Sequence, residues 1–256
     1  MGAAVQSGLK IEFREFAPNA DSSTTRSLGE QETHIWHAPL HPSSLDVPRL
    51  LPLLSEDESN RARRFRFEKN RNEFILSRGW LRILAASYLD VLPAELGFAY
   101  SPHGKPYLST PARAQSLAFN VSHTEGMVLF AFTRSRKVGI DVENLRGDFN
   151  APEIAERFFS VTEREALRRV PTEQQHEAFF RCWTRKEAYI KARGEGLSHP
   201  LYEFDVSLAP DETSALLATR PDPVEAGCWW LRNLPVTSGY AAALAVEADS
   251  TPSVPS

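Results

Sequence analysis

Apolar and polar positions along the chain follow two different periods, and each change of period marks a predicted element. Apolar residues that alternate with polar ones, or that form short continuous runs, predict strands. Such runs occur at THIWHAPL (33–40), LAFNVSH (117–123), MVLFAF (127–132), VGIDVE (138–143), FDVSL (204–208), CWWLRNL (228–234) and YAAALAVE (240–247). Helical spacing predicts long helices from about Ser55 to Leu89 and from about Glu173 to Arg193, with short helices over 151–159 and 161–170.

The order of these elements predicts an α+β fold organised as two halves. Each half runs from a strand to helices and then to further strands, and long helices packed on mostly antiparallel strands define the α+β class. We assign residues 31–136 to an N-terminal half and residues 137–247 to a C-terminal half. Apolar periodicity is weak in residues 1–30 and 248–256, so we expect a flexible leader and a flexible tail there.

Composition narrows the class of protein, and the distribution of charge adds a candidate ligand. The content of 42% hydrophobic and 24% charged residues is typical of a globular protein, and two cysteines do not suggest a disulfide framework. We therefore expect a cytoplasmic protein that binds no membrane. The net charge is -4, yet residues 61–82 hold eight basic and two acidic side chains. A basic patch in an acidic protein favours a polyanionic ligand over nucleic acid, although a solvated helix face would look the same.

The segment VGIDVE places two carboxylates at alternate positions of a predicted strand. Alternate residues of a strand point to the same face, so Asp141 and Glu143 are expected to lie side by side. Two carboxylates that close repel each other unless a cation lies between them or one is protonated. Magnesium, which prefers oxygen ligands, fits this pair. The alternative is that the strand ends here and both side chains face water.

The predicted helix near the C-terminal end of the chain carries a second charged pair. Phe179, Trp183 and Ile190 form an apolar stripe at helical spacing, and Glu187 and Lys191 lie on its flank, one turn apart. They could form a routine surface ion pair. They could also supply a third metal ligand and an ammonium group for a phosphate.

Two further polar segments follow predicted strand ends or turns. In FNVSH, Ser122, His123 and Thr124 are expected to form a polar turn between two apolar strands, where ligand-binding groups are often presented. A lone histidine such as His123 is more often a structural hydrogen-bonding residue. In the turn of Gly104, Lys105 and Pro106, the lysine is a candidate phosphate contact.

The basic helix contains an arginine on its apolar face. Arg78 shares that face with Phe74 and Leu81, and an arginine that faces a core must meet an anion. The anion could be a carboxylate of the protein or a phosphate of a ligand. Lys69 and Arg61 lie nearby in the sequence and could add charge.

Taken together and in this order, five segments resemble the surfactin-synthetase type of 4'-phosphopantetheinyl transferase. They are GKPYL, FNVSH, VGIDVE, RFFSVTE and WTRKEAYIKARGEGL, and the resemblance spans roughly residues 33 to 247. It implies a monomer of two similar α+β halves, related by a pseudo-twofold axis, with the active site between them.

The resemblance also implies roles for individual residues. Asp141, Glu143 and Glu187 match the magnesium ligands of the family. His123, with Ser122 beside it, and Lys191 match the residues that contact the phosphates of coenzyme A. The loop bordering the adenine nucleotide corresponds to Gly104, Lys105 and Pro106, and candidates for the 3'-phosphate are Lys69, Arg78 and Arg61.

The implied reaction is the transfer of 4'-phosphopantetheine from coenzyme A to a serine of an apo acyl or peptidyl carrier protein, with release of 3',5'-ADP. Magnesium is the expected cofactor, and Glu187, His123 and Lys191 are the expected catalytic residues, with Glu187 as the base, directly or through a metal-bound water. The carriers would serve fatty-acid, polyketide or nonribosomal peptide synthesis. The alternatives are a non-catalytic coenzyme A or nucleotide-binding module, a metal-dependent phosphohydrolase and a purely structural partner protein.

Overall fold

The computed structural model describes residues 9–17, 25–40, 46–145, 151–196, 199–210, 212 and 215–248 of the 256-residue chain. The strands are β1 (Lys10–Glu15), β2 (Glu32–Pro39), β3 (Gly97–Tyr100), β4 (Pro106–Thr110), β5 (Leu117–Thr124), β6 (Met127–Arg134), β7 (Val138–Asn144), β8 (Phe204–Val206), β9 (Leu216–Thr219), β10 (Trp229–Asn233) and β11 (Tyr240–Glu247). The α-helices are α1 (Asp46–Leu50), α2 (Glu56–Arg63), α3 (Glu68–Leu89), α4 (Ala151–Phe158), α5 (Val161–Arg169) and α6 (Thr172–Arg193). This confirms the mixed α+β class. None of the helices in the described ranges is long and apolar enough to cross a membrane.

The chain divides into two compact units that are not a simple cut of the sequence. The first unit comprises the residues up to Ser101 together with Pro106–Phe119 and Glu125–Ser135. The second comprises Pro102–Lys105, Asn120–Thr124 and the residues from Arg136 onward. Two segments that we had assigned to the N-terminal half therefore belong to the second unit, and both carry predicted site residues.

The first unit is built on a four-stranded sheet with the order β1-β2-β6-β5. Helix α3 is tied to this sheet by the Tyr88 hydroxyl, which lies 2.8 Å from both His34 Nδ1 and Trp36 Nε1. The Tyr88 ring also packs on Phe132 of β6. The buried Tyr88 hydroxyl thus has hydrogen-bond partners inside the core.

Two predictions about this unit are wrong. Residues Lys10–Glu15, expected in a flexible leader, form β1 because they pair in parallel with β2 and place Ile11 and Phe13 in partly buried positions. Part of the rest of the leader, and all of residues 249–256 of the tail, lie outside the described residues. The helix expected from Ser55 to Leu89 is interrupted after Arg63, where Phe65 turns back onto Phe74 with ring centroids 5.5 Å apart.

The second unit is built on the antiparallel sheet β10-β11-β7, against which α6 packs. The apolar core between them includes Phe179, Tyr189, Ile190, Trp229 and Leu231. Strand β7 lies at the edge of this sheet, so one side of its backbone is not paired with another strand of the sheet. Three short strands were not predicted: β3 and β4, which belong to the first unit, and β9, which belongs to the second.

A buried ion pair joins α6 to α5 inside this unit. Lys186 Nζ lies 2.7 Å from Glu163 Oε1 and also donates to the carbonyls of Leu201 and Phe204. The other oxygen of Glu163 accepts the Ser160 N–H, which completes the cap of α5. Both charged side chains are almost fully buried, so each depends on the other.

Loss of one partner of this pair should strongly destabilise the fold. For Lys186→Met we expect a fall of about 3–5 kcal/mol in the free energy of unfolding, measured by urea denaturation, because Glu163 is left buried without its counter-charge. Arg169→Met, which removes the exposed ion pair between Arg169 and Glu165, is the control and should have no measurable effect. Equal stability of Lys186→Met and the unchanged protein would contradict this account.

The buried His34 should make the fold sensitive to acid. Burial lowers the pKa of His34 to about 4 from its ordinary 6.5, with Arg14 adding to the effect and Glu32 opposing it. The contribution of His34 to the free energy of unfolding is complete above pH 6.5 and is lost as the pH falls towards 4. In that range only the unfolded chain takes up the proton on this histidine. We expect a loss on the order of 1–2 kcal/mol between pH 7 and pH 5. Urea denaturation should show a smaller loss for His34→Gln; the same loss in both proteins would disprove the assignment.

Candidate active site

At the free edge of β7, backbone N–H groups donate to side chains of β5 and not to the backbone of a neighbouring strand. Ile140 N–H donates to Asn120 Oδ1 at 2.8 Å, Val142 N–H to Ser122 Oγ at 3.3 Å and Asn144 N–H to Thr124 Oγ1 at 3.2 Å. The three acceptors alternate along the end of β5, as the strand period requires. The prediction that Ser122, His123 and Thr124 form a polar turn is wrong, because these residues continue strand β5 through Thr124. The turn that follows consists of Glu125 and Gly126.

Backbone contact fixes how β7 faces α6. A Cβ atom built at Gly139 would lie 2.1 Å from the Ala188 carbonyl oxygen and 2.3 Å from the Ala192 nitrogen, so only glycine allows this approach. Asp141 follows Gly139 at the next position on the same strand face. Residues Glu187 and Lys191 each precede one of the two contacted alanines. The close contact therefore sets the register between the acidic strand and the charged helix.

Asp141 lies at the centre of the resulting cluster. Its Oδ1 accepts hydrogen bonds from Lys191 Nζ at 2.5 Å and from Ser122 Oγ at 2.9 Å, and Lys191 Nζ also donates to Ser122 Oγ at 3.1 Å. Only 3% of Asp141 is exposed. Its second oxygen, Oδ2, is buried and has no hydrogen-bond partner. A buried carboxylate oxygen without a partner indicates that a further positive or donating group belongs beside it.

The two other predicted acidic residues are coupled to Asp141. Burial raises the pKa of Glu187 to about 7, and the negative charges of Asp141 and Glu143 add to the rise while Lys191 opposes it. Burial and Asp141 likewise raise the pKa of Glu143, whereas Lys191 and a hydrogen bond from Trp183 lower it. The three acids therefore repel one another, and a single lysine offsets only part of their charge.

This acidic cluster suits a hard cation in its chemistry. Among the residues that the structure describes, no three histidine, cysteine or carboxylate side chains are gathered closely enough to hold a metal as they stand. The positive charge beside Asp141 is instead the Lys191 ammonium. The orphaned Oδ2 and the mutual repulsion of the three carboxylates fit an oxygen-bound divalent cation.

The remaining predicted residues of the second unit are distributed around this cluster. His123 is exposed on β5, next to Ser122. Gly104 has a left-handed φ of +81°, which aims the following Lys105 inward. The Lys105 ammonium donates to two backbone carbonyls, so the structure gives it a use other than the expected phosphate contact.

The basic candidates and Pro106 lie in the first unit. Arg78 Nε lies 3.4 Å from Glu58 Oε1, and its Nη2 donates to Tyr100, so the anion that it meets is a protein carboxylate. Its buried Nη1 has no hydrogen-bond partner. Lys69 is exposed and paired with Glu125 at 2.7 Å. Arg61 lies over the Phe74 ring at 5.3 Å.

Comparisons with known proteins match most of the chain. The family model described as 4'-phosphopantetheinyl transferase superfamily matches residues 137–245, and the model of the N-terminal part of 4'-phosphopantetheinyl transferases matches residues 39–135. The 4'-phosphopantetheinyl transferase HetI of Nostoc sp. is 39% identical over 220 residues, which cover 86% of this chain and 90% of that protein. The chain belongs to the 4'-phosphopantetheinyl transferase superfamily. This confirms the family predicted from the motifs.

Relatives from Bacillus subtilis support the same assignment for this transferase. A 4'-phosphopantetheinyl transferase of that species is 33% identical over 169 residues, covering 66% of this chain and 73% of the relative. The 4'-phosphopantetheinyl transferase Sfp of strain 168 is 31% identical over 163 residues, covering 64% and 70%.

Sequence reasoning missed the residues of the transferase that support the site without carrying its charge. Asn120 and Gly139 lie inside the motifs FNVSH and VGIDVE, yet their roles depend on an edge contact and a helix contact that periodicity does not show. Lys186 and Glu163, in the two C-terminal motifs, form the buried ion pair described above. A charged residue within the helical apolar stripe of Phe179, Trp183 and Ile190 was the available signal for Lys186.

A methyl group at Gly139 should disrupt the transferase. Gly139→Ala forces α6 and β7 apart, and we expect a fall of about 1–3 kcal/mol or more in the free energy of unfolding, measured by urea denaturation. Gly227→Ala is the matched control, because a Cβ there meets no atom within 4 Å. An unchanged stability of Gly139→Ala would show that this contact does not determine the packing.

Proposed function

We propose that the protein transfers the 4'-phosphopantetheine group of coenzyme A to a serine hydroxyl of an apo acyl or peptidyl carrier protein and releases 3',5'-ADP. The observation that carries this proposal is the buried cluster of Asp141, Ser122 and Lys191, whose carboxylate has one orphaned oxygen. Acid and ammonium groups side by side suit a ligand that brings both a phosphate and a cation.

Magnesium would be held by Asp141, Glu143 and Glu187 in this proposal. The support is chemical: burial and the repulsion between neighbouring carboxylates raise the pKa values of Glu143 and Glu187, and Asp141 Oδ2 has no hydrogen-bond partner. Bound there, the ion would neutralise charge that develops on the pyrophosphate of coenzyme A.

The chain's own side chains would position the phosphates. Lys191 is 29% exposed, so its ammonium reaches the surface of the cluster while it remains bonded to Asp141. Charge-assisted hydrogen bonds from Lys191 and His123 to pyrophosphate oxygens would orient the β-phosphate for attack. Ser122, which bridges Asp141 and the β7 backbone, keeps that corner of the site rigid.

Glu187 is our choice for the proton acceptor at the incoming serine. It is only partly buried, unlike Asp141, so its carboxylate oxygen can approach a group that enters from solvent. The serine proton would pass to that oxygen as the hydroxyl attacks the β-phosphate, and the departing group is 3',5'-ADP.

The nucleotide end of coenzyme A is assigned more coarsely. We propose that the backbone of Gly104 and Pro106 borders the adenine nucleotide. For the 3'-phosphate, the exposed Lys69 and Arg61 are candidates, and Arg78 contributes a buried Nη1 without a partner. Each would supply a cationic donor to a phosphate oxygen.

The reaction is tested by mixing the protein with coenzyme A, magnesium and a panel of apo carrier proteins. Mass spectrometry should show one carrier gaining one phosphopantetheine arm, and EDTA should prevent the gain. No gain on any carrier would overturn the proposal. Binding of coenzyme A without magnesium and without product would instead identify a non-catalytic binding module.

Asp141→Asn tests the cluster itself. The amide removes the negative charge at the buried oxygens, so we expect the transfer rate to fall by roughly 100-fold or more. Glu165→Gln, an exposed carboxylate on α5, is the control and should keep the normal rate. Circular dichroism checks that both variants are folded. A near-normal rate for Asp141→Asn would exclude Asp141 from the metal site.

A further inference from the structure

The side chain of Lys105 joins the two elements that carry the acidic cluster. Its ammonium donates to the carbonyl of Val138, the first residue of β7, at 3.0 Å and to the carbonyl of Ala192, in the last turn of α6, at 3.1 Å. All three residues belong to the second unit. One side chain from a loop thus bonds to both a strand end and a helix end.

Both carbonyls lie at places where backbone groups lack a partner in regular structure. Lys137 C=O accepts the Glu247 N–H at 3.0 Å, so the next carbonyl along the strand, that of Val138, turns to the free edge of β7. Ala192 C=O is one of the last four carbonyls of α6, which have no partner within a helix and form the negative end of its dipole. An ammonium group is the donor that suits both.

The surroundings of Lys105 hold its side chain in this position. A Cβ atom built at Gly194, just beyond the end of α6, would touch Lys105 Cδ at 3.4 Å, so the stem passes directly over that residue. Burial lowers the pKa of Lys105 to about 8, and the charge of Lys137 adds to the effect. The amine is therefore withdrawn from water, which differs from a surface lysine that waits for a ligand.

We propose that Lys105 is a positioning residue that fixes the spacing between β7 and α6 and so brings Asp141 and Glu143 opposite Glu187. Val138 lies three residues before Asp141, and Ala192 follows Lys191 directly. Movement at either bonded carbonyl would therefore be transmitted to the cluster through a short length of rigid backbone. This inference rests on the proposed function of the cluster.

A phosphate-binding lysine would behave differently. If Lys105 contacted coenzyme A directly, its loss would weaken the binding of coenzyme A and 3',5'-ADP, and cation binding would not change. If it positions the cluster, its loss would weaken cation binding and lower kcat, with the nucleotide affinity retained. The two roles therefore predict opposite patterns.

The experiment compares Lys105→Met with Lys137→Met. Both changes remove one lysine charge, but Lys137 is exposed and paired with Glu247 at the surface. We expect Mn²⁺ affinity, measured by electron paramagnetic resonance without any carrier, to fall roughly 10-fold in Lys105→Met only. Titration calorimetry should give an unchanged affinity for 3',5'-ADP in both. Normal Mn²⁺ binding by Lys105→Met, or a loss confined to 3',5'-ADP, would overturn the proposal.

A second variant serves if Lys105→Met does not fold. Gly104→Ala strains the left-handed φ of +81° that aims Lys105, and Gly239→Ala imposes similar strain at a φ of +91° elsewhere. Weaker Mn²⁺ binding in Gly104→Ala than in Gly239→Ala supports positioning, and equal binding contradicts it. Because Mn²⁺ binding is measured without transfer, failure of the unchanged protein to modify any carrier would sink the proposed reaction separately.

Discussion

The close contact between β7 and α6 is the constraint on which the candidate site depends. At Gly139 the strand backbone touches the backbone of α6 at Ala188 and Ala192. The β11 residues paired with Gly139, Asp141 and Glu143 are all alanines, Ala245, Ala243 and Ala241, which leave room for the helix on that face. The glycine and the alanines let strand and helix approach closely, and Lys191 of the helix then bonds to Asp141 of the strand.

Neighbouring residues of α6 have different roles: Arg185 and Lys186 stabilise the fold, and Glu187 belongs to the acidic cluster. The fully buried Arg185 donates to the carbonyls of Ser207 and Ala209 and to Asn233, and the next residue, Lys186, is paired with Glu163. Glu187 follows on the face that meets β7. The buried cations fasten α6 to the loops and strands around it, and this rigidity is what a cluster of mutually repelling acids requires.

Membership of the 4'-phosphopantetheinyl transferase superfamily gives the motifs one common explanation, and the structure shows that their residues act in different ways. In VGIDVE, the glycine serves packing and the acids serve charge. In FNVSH, Asn120 and Ser122 replace a missing backbone ladder, and Ser122 also bonds to Asp141. Each motif position is thus constrained by packing, by hydrogen bonding or by chemistry, and some positions, such as Ser122, are constrained by two of these.

The sequence alone determined the elements with strong periodicity and the charges placed on them, because strand and helix periods are local properties. Asp141 and Glu143 on one strand face, and Glu187 and Lys191 one helical turn apart, follow from spacing. Tertiary structure alone decided which partners the cations meet. Arg78 faces Glu58 and Lys105 faces two backbone carbonyls, and β1 exists because β2 lies beside it. Such partners lie far apart along the chain, so only the packed fold brings them within hydrogen-bond distance.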